Sequence, residues 1–283
     1  MSQSENLKEI VKQKYGEIAN QKVESNVSSC CGATSCGNDG YTIMSDKYDG
    51  IEGYQSEADL GLGCGLPTQY AKINLGDTVV DLGSGAGNDV FVARTAVGAN
   101  GLVIGIDFTE NMISKAKENA ARLSFSNVNF RLGDIEDMPI TSNFANVVIS
   151  NCVLNLVPNK HKVFSEIYRV LKPGGHFSIS DIVLEGELPE KWQEVAEMYA
   201  GCVSGAIQRS EYLSIIHEAG FENVTLQKEK AITIPDEILA NYFNQQEINA
   251  FKNSNAKIVS LTIYAEKLSK DDRNCCAPES GCC

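Results

Sequence analysis

The chain has 283 residues, enough for one full α/β domain with appendages or for two small domains. Its 43% hydrophobic and 22% charged residues are the composition of an ordinary globular protein. The net charge of −13 and the sequence pI near 4.7 argue against nucleic acid as a partner, because an acidic surface repels phosphate backbones. Neutral and cationic small molecules are not repelled.

The first ten residues are polar and contain no apolar core of the kind found in signal peptides. No apolar run approaches the ~20 residues needed to span a bilayer. We therefore expect a cytoplasmic protein that does not bind membranes and whose thiols are mostly reduced. Its ten cysteines then need a role other than a permanent disulfide framework. They are Cys30, Cys31, Cys36, Cys64, Cys152, Cys202, Cys275, Cys276, Cys282 and Cys283.

The N-terminal part of the chain is predicted to form a helix followed by a cysteine-rich loop. Apolar side chains at helical spacing indicate an amphipathic helix over residues 5–24. Residues 25–40 are small and turn-prone, which predicts a loop that carries three of the cysteines. A second glycine-rich segment, Gly61-Leu-Gly-Cys-Gly65, places Cys64 shortly before the first predicted strand.

From Thr78 onward, strand patterns alternate with helical patterns. Such alternation predicts an α/β fold with a doubly wound, mostly parallel seven-stranded sheet of Rossmann-like type. The last strand alternates apolar and polar residues in part, which is typical of an edge strand, here one inserted antiparallel. The predicted strands are 78–82, 102–106, 127–132, 145–151, 175–183, 223–229 and 257–266. The predicted helices are 87–97, 109–123, 158–171, 190–203, 209–219 and 235–250.

The first predicted strand leads into a glycine-rich turn. The stretch Thr78-Val-Val-Asp-Leu-Gly-Ser-Gly-Ala-Gly-Asn-Asp89 indicates a buried strand, a tight turn and a helix N-terminus. Glycines are needed where the backbone turns sharply and lies against a ligand, because a Cβ would collide with it. The dinucleotide fingerprint would place its third glycine at position 88, where Asn88 stands. The pattern D-x-G-x-G-x-G instead resembles the first motif of the class I S-adenosylmethionine-dependent methyltransferases.

Further residues extend this resemblance in the same order along the chain. Asp107 ends the second predicted strand, where an acid can accept hydrogen bonds from both ribose hydroxyls of an adenosine. Asp134 follows the third strand, where methyltransferases contact the adenine ring, and Lys172-Pro-Gly-Gly175 resembles a recurrent methyltransferase connection. The resemblance implies S-adenosylmethionine as the cofactor. The residues implied to bind it are Asp81, Gly83, Ser84, Gly85, Gly87, Asp107, Phe108, Met112, Asp134, Ile135 and Asn151.

Three single cysteines are placed to meet at the reactive end of the cofactor. Cys152 follows the fourth strand, Cys64 precedes the first, and Cys202 follows the fifth, where methyltransferases often build a substrate lid. Ligands of open α/β sheets bind outside the carboxyl ends of the strands. Thiolates prefer soft centres, and trivalent arsenic takes three sulfurs and keeps a lone pair. Once oriented, that lone pair can attack a sulfonium methyl without a general base.

Stretches across the central part of the chain resemble the arsenite S-adenosylmethionine methyltransferases. The resemblance implies that Cys152 and Cys202 hold the arsenic. Cys64 and one N-terminal cysteine are implied to join them as ligand or disulfide partner; Cys36 best matches that position, and Cys31 is the alternative. The stretches are Gly63-Cys-Gly-Leu66, Asp81-Leu-Gly-Ser-Gly85, Ser150-Asn-Cys-Val153, Asn155-Leu-Val-Pro158 and Gly201-Cys-Val-Ser-Gly-Ala206.

The resemblance also implies a reaction cycle that detoxifies arsenic. Arsenite and methylarsenite are the expected substrates, and each methyl transfer formally oxidises the arsenic. Two cysteines then reduce it by forming a disulfide, which a thiol reductant such as thioredoxin or glutathione resets. We expect a monomer with four regions. These are the N-terminal helix and loop (1–50), the methyltransferase core with its lid (51–229), a C-terminal helix and closing strand (230–268) and a flexible cysteine-rich tail (269–283).

Two other functions remain compatible with these residues. A methyltransferase of another small metabolite would need a base or an acceptor-orienting set, and none of the three histidines lies in a convincing motif. A non-catalytic metalloid-sequestering protein would instead use the cysteine-rich ends of the chain. Structural zinc is a weaker alternative, because no C-x-x-C pair occurs and Cys31-x₄-Cys36 is the nearest match.

Overall fold

The computed structural model describes residues 3–20, 46, 48, 50–187, 203, 205–233 and 236–269. Its centre is a seven-stranded sheet in the order β3-β2-β1-β4-β5-β7-β6. The first five strands are parallel, and β7 runs antiparallel to both of its neighbours. The predicted α/β class and doubly wound, mostly parallel sheet are therefore confirmed. The strands are β1 Thr78–Leu82, β2 Leu102–Asp107, β3 Val128–Leu132, β4 Ala145–Asn151, β5 Leu171–Glu185, β6 Glu222–Ile232 and β7 Lys257–Glu266.

Helices flank the sheet and connect its strands. The helix predicted over residues 235–250 is wrong as one element, because Asn244 begins a new helix inside it. The Asn244 side chain accepts hydrogen bonds from the backbone N–H groups of Gln246 and Glu247, which is an N-cap. The helix predicted over 190–203 lies outside the described residues, except Val203. The helices are α1 Gln3–Asn20, α2 Pro67–Tyr70, α3 Asn88–Val97, α4 Glu110–Arg122, α5 Lys160–Val170, α6 Arg209–Glu218, α7 Asp236–Leu239 and α8 Gln245–Lys252, with a 3-10 turn at Leu154–Leu156.

The central strands are buried on both faces, as a parallel sheet requires. Val79 packs into an apolar cluster with α3 and α4, whereas the next residue, Val80, packs into the cluster with α5 and α6. Successive strand side chains point to opposite faces, so the continuous apolar runs of β1 and β4 fill both layers. This burial holds the carboxyl ends of the strands rigidly at one edge of the sheet.

The prediction that the last strand forms an edge of the sheet is wrong. β7 lies between β5 and β6, and β6 is the edge strand. The polar positions of β7 do not face solvent, because Ser260 donates a hydrogen bond to the carbonyl of Cys64 (2.7 Å) and Thr262 is bonded to Ser180 (2.9 Å). Both hydroxyls are buried. The antiparallel direction of the strand agrees with the prediction.

Within the described part of the chain, none of the helices combines the length and the apolar character that crossing a bilayer requires.

Candidate active site

A cavity opens at the carboxyl ends of the parallel strands. The chain leaves β1 toward β2 and β3 on one side, while β4 and β5 lie on the other, so strand order reverses between β1 and β4. Ligands of open α/β sheets bind at this switch point. Loops that follow β1, β2, β3 and β4 all line the cavity, together with α1 and the segment before α2.

The three glycines of the turn after β1 have different structural roles. All three have positive φ, which favours glycine. A Cβ at Gly83 would lie 2.5 Å from the side chain of Val153, whereas one at Gly85 would meet no described protein atom within 4 Å. Gly85 therefore faces the open cavity. Gly87 does not line the cavity: it precedes α3, and a Cβ there would lie 2.9 Å from Phe130. This close packing gives position 87 a structural need for glycine, and its predicted contact with the cofactor stays a prediction.

Three buried oxygen atoms in the cavity lack a hydrogen-bond partner among the described residues. They are Ser84 Oγ, Asn88 Oδ1 and Thr109 Oγ1, and all three residues line the cavity. Buried polar groups in folded proteins are almost always hydrogen-bonded. The cavity is therefore suited to a polar ligand that supplies these bonds, as the ribose and amino-acid groups of S-adenosylmethionine would.

Asp107 joins the loops after β1 and β2. Its carboxylate accepts hydrogen bonds from the backbone N–H of Gly85 (3.0 Å) and of Thr109 (2.8 Å). Burial raises the pKa of Asp107, and these hydrogen bonds oppose the rise. The carboxylate thus stays at the cavity wall in a fixed orientation. The other predicted cofactor residues that line the same cavity are Asp81, Gly83, Ser84, Gly85, Phe108, Met112, Asp134, Ile135 and Asn151.

Helix α1 covers the part of the cavity that Asp134 lines. Lys8 donates a hydrogen bond to Asp134 (2.6 Å) and forms a second ion pair with Glu136. Lys8 and Tyr15 both line the cavity. Sequence reasoning did not identify either residue, because the two acids lie more than 120 positions from Lys8 along the chain.

A buried polar network links the glycine turn to the segment that carries Cys64. The hydroxyl of Tyr48 donates a hydrogen bond to the carboxylate of Asp89 (2.9 Å). The side-chain amide of Asn151 donates to the hydroxyl of Tyr48 (2.8 Å) and to the carboxylate of Asp89 (3.1 Å). It also donates to the carbonyl of Gly65 (2.9 Å). Burial raises the pKa of Asp89 to about 6, against the opposing effect of these hydrogen bonds. Sequence reasoning missed Tyr48, which lies in no recognisable motif. It assigned no role to Asp89, although Asp89 ends the stretch that contains the glycine turn. Asn151 was predicted to bind the cofactor, and it also holds this network together.

Cys64 lies in a tightly held turn against the sheet. The Asn151 side chain accepts hydrogen bonds from the backbone N–H of Cys64 (3.0 Å) and Gly65 (3.2 Å). The glycines on either side of Cys64 allow this approach: a Cβ at Gly63 would lie 2.7 Å from Asn151, and one at Gly65 would lie 2.5 Å from Ser180. The turn places the fully buried Cys64 next to the end of β4.

Cys152 begins the loop after β4 in a strained backbone conformation. Its φ is +63°, in the left-handed region that non-glycine residues rarely adopt, and its N–H donates to the carbonyl of Ser180 (2.7 Å). Such strain is maintained by surrounding contacts and clusters at functional sites. Cys152 lines the cavity, and its sulfur lies within 4.8 Å of the sulfur of Cys64. Two of the predicted thiols are therefore adjacent, and one of them, Cys152, is at the cavity wall.

Asp181 on β5 completes this cluster, and no sequence motif pointed to it. One of its carboxylate oxygens lies within 4.8 Å of both sulfurs. Burial raises the pKa of Asp181 to about 7, and the nearby charge of Lys160 opposes the rise. Lys160 is itself buried and donates to the carbonyl of Gly205 (2.7 Å).

The other predicted cysteines lie outside the described residues. This applies to Cys202, Cys36 and Cys31. Val203, the residue after Cys202, is buried in the same apolar cluster as Cys64 and Cys152.

Comparisons with known proteins agree with this arrangement. Residues 73–220 match the family described as "Methyltransferase domain". The chain is 39% identical to an arsenite methyltransferase from Halobacterium salinarum, over 95% of this chain and 68% of that protein. It is 32% identical to an arsenite methyltransferase from Aquipseudomonas alcaligenes, over 83% of this chain and 67% of that protein. An arsenic(III) S-adenosylmethionine methyltransferase structure from Chlamydomonas reinhardtii superposes with a TM-score of 0.62 and 31% identity, covering 74% of this chain and 68% of that chain.

Proposed function

The chain belongs to the arsenite methyltransferase family, and from this premise we propose how its residues carry out methylation of arsenic with S-adenosylmethionine. S-adenosylmethionine, when bound, supplies an electrophilic methyl group on a positively charged sulfur. Asp107 accepts hydrogen bonds from the ribose, and Asp134 faces the adenine. The turn that contains Ser84 and Gly85 holds the amino-acid end. The three oxygen atoms without partners in the cavity support this assignment.

The thiols hold the substrate, arsenite or methylarsenite. Cys64 and Cys152 bind the arsenic together with Cys202, and the N-terminal Cys36 or Cys31 serves as a further ligand or disulfide partner. Trivalent arsenic bound to sulfurs keeps a lone pair, so the residues need to orient it rather than remove a proton. Orientation of this kind can supply about 7–11 kcal/mol of a reaction barrier. The rigid turns around Cys64 and Cys152 support this role, since they hold both sulfurs before the substrate arrives.

The same cysteines return the arsenic to the trivalent state. Each methyl transfer oxidises arsenic by two electrons, and two thiols supply two electrons when they form a disulfide. A cytoplasmic thiol system, either thioredoxin or glutathione, then reduces that disulfide. This cycle removes arsenite and detoxifies it, and it needs no metal ion resident in the protein.

The observation that carries the proposal is the proximity of the Cys64 sulfur to that of Cys152, which lines the cofactor cavity. The test is incubation with arsenite, S-adenosylmethionine and a thiol reductant, followed by separation of the arsenic species. We expect methylated arsenic from the native chain and at least a 100-fold lower rate from Cys152→Ser. S-adenosylmethionine affinity, measured by calorimetry, should change less than twofold in this variant.

Cys283→Ser is the matched control, because it also removes one thiol but lies outside the proposed site. It should methylate arsenite at the native rate. Full activity of Cys152→Ser, or methylation of arsenate without any reductant, would contradict the thiol mechanism.

A further inference from the structure

Asp181 places a carboxylate beside the two thiols, where the mechanism described so far has no use for it. The side chain is 1% exposed. One of its oxygens and the sulfurs of Cys64 and Cys152 all lie within 4.8 Å of one another. Cys152 lines the cofactor cavity, whereas Cys64 and Asp181 are buried beside it.

The carboxylate of Asp181 is fixed in orientation by its neighbours. One oxygen accepts a hydrogen bond from the backbone N–H of Ile182 (3.0 Å), and the other accepts one from the hydroxyl of the fully buried Tyr212 (3.1 Å). Lys160 is the cation whose charge acts on Asp181, and it forms its hydrogen bond with the carbonyl of Gly205 rather than with the carboxylate. The charge of Asp181 is therefore compensated from a distance and remains directed at the thiols.

Methyl transfer moves a positive charge toward this carboxylate. Trivalent arsenic with three anionic ligands is neutral, whereas the sulfur of the methyl donor carries a positive charge. The arsenic lone pair forms the new bond to carbon, and the electron pair of the broken sulfur–carbon bond stays on sulfur. Unit positive charge thus passes from sulfur to arsenic. An arsenic atom bonded to Cys64 and Cys152 would lie beside Asp181, because one oxygen of Asp181 is within 4.8 Å of both sulfurs. In-line attack would place the donor sulfur on the opposite side of the methyl group from the arsenic.

We propose that Asp181 stabilises the positive charge that develops on arsenic during methyl transfer. The inference rests on the thiol site proposed above. A fixed charge directed at the place where charge develops lowers the barrier without reorganisation, and removing one such group typically costs 10²–10³ in rate. The effect is specific to the transition state, because the substrate that Cys64 and Cys152 hold is neutral before the reaction.

The test is the Asp181→Asn variant of the full chain, which removes the charge and keeps the size and hydrogen-bonding capacity of the side chain. The protein is loaded with arsenite, mixed with excess S-adenosylmethionine, and the methylated arsenic is quantified over a single turnover. We expect the rate constant to fall about 100-fold. Arsenite affinity by equilibrium dialysis and S-adenosylmethionine affinity by calorimetry should each change less than threefold, so that kcat falls and both KM values stay constant.

Glu185→Gln is the matched control. It also removes one carboxylate charge from β5 and one contact to α6, because Glu185 pairs with Arg209 (2.6 Å), but it lies outside the proposed site, so its single-turnover rate should stay within about threefold of the native rate. Equal losses in Asp181→Asn and Glu185→Gln would show that Asp181 only anchors α6, which overturns the proposal. A native rate for Asp181→Asn, or a loss of arsenite affinity that accounts for its lower rate, also overturns it. If the native chain itself fails to methylate arsenite, the proposed function fails instead.

Discussion

Cys64, a proposed arsenic ligand, is held in place by single hydrogen bonds. Its carbonyl accepts a hydrogen bond from Ser260 on β7 (2.7 Å). Three positions further along the chain, at the start of α2, the carbonyl of Pro67 accepts one from Ser178 on β5 (2.8 Å). Both hydroxyls are buried. The two serines therefore support the same segment, but only Ser260 acts directly on Cys64.

This difference gives a prediction at the residue scale. Ser260→Ala should raise the KM for arsenite about threefold to tenfold, because a buried hydrogen bond contributes about 0.5–1.5 kcal/mol and its loss lets the turn shift. The KM for S-adenosylmethionine should not change. Steady-state kinetics with each substrate varied in turn measures both values.

Ser178→Ala is the corresponding control, since it removes a hydroxyl of similar burial from the neighbouring strand. Its thermal midpoint should fall by a similar amount, while its KM for arsenite stays within twofold of the native value. An equal rise in KM in both variants would mean that general loss of stability, rather than the position of Cys64, determines arsenite binding.

Helix α1 covers the part of the cavity that Asp134 lines. It packs on α4, with Ile18 buried and with the carbonyl of Ala19 accepting a hydrogen bond from Lys115 (3.0 Å). Two kinds of interaction hold it over the cavity: the ion pairs of Lys8 and the apolar contact of Tyr15. The relative strength of these two interactions determines which of them keeps α1 in place over the cavity.

We predict that the apolar contact of Tyr15 contributes more than the ion pairs of Lys8 to holding α1 over the cavity. Lys8 is 28% exposed, and ion pairs in such positions contribute at most about 1 kcal/mol, so Lys8→Met should weaken S-adenosylmethionine binding less than fivefold. Full burial of a large apolar side chain contributes about 1.5–3 kcal/mol. Tyr15 is partly buried, so Tyr15→Ala should lose part of this free energy and bind S-adenosylmethionine about tenfold more weakly. Calorimetric titration distinguishes the two.

Ile10→Ala on the exposed side of the same helix serves as the control and should bind the cofactor with native affinity, because 57% of that side chain is exposed. A larger loss in Lys8→Met than in Tyr15→Ala would show that the ion pairs determine the position of α1.

The whole molecule carries several buried carboxylates whose pKa values are raised. Burial raises the pKa of Asp89 to about 6 and that of Asp181 to about 7, and it also raises those of Asp81 and Asp107. The ordinary value for aspartate is about 3.9. A carboxyl with a raised pKa in the folded state binds its proton more tightly there than in the unfolded chain. Its contribution to stability is complete below about pH 4 and is lost as pH rises through 6 to 7.

The folded protein should therefore become less stable between pH 5.5 and pH 8. For a domain of this size each kcal/mol corresponds to about 2–4 °C in the thermal midpoint, so we expect a decrease of several degrees. Thermal unfolding followed by circular dichroism measures it. The net charge of −13 acts in the same direction through repulsion at the surface.

Salt distinguishes these two causes, because it screens exposed charges far more than buried ones. In about 0.5 M salt, roughly three times the physiological ionic strength, most of the decrease should remain. Asp181→Asn should show a smaller decrease than the native chain. A midpoint that rises with pH over this interval would contradict the assignment of raised pKa values.

Local sequence patterns were sufficient for most of the architecture. The bounds of β1 and β4 coincide with those predicted, because continuous apolar runs ending in a glycine turn or a polar residue specify a buried strand within one short window. Asp107 and the glycine turn were recognisable because each lies at the end of a predicted parallel strand, and the carboxyl ends of parallel strands meet at the same edge of a sheet. The position of Gly87 could be predicted, but its packing against Phe130 could not.

Only the tertiary structure decided what the chain brings together from a distance. The alternation of apolar and polar residues in β7 predicted an edge strand. A buried hydroxyl that is hydrogen-bonded inside the protein and a hydroxyl that faces water produce the same alternation in the sequence. Asp181 lies more than 100 positions from Cys64, and Tyr48 lies 41 positions from Asp89. The neighbours of a side chain depend on which strand pairs with which and on how helices pack over them. Strand pairing and helix packing are decided by the free energy of the whole folded chain, so no single stretch of sequence determines them.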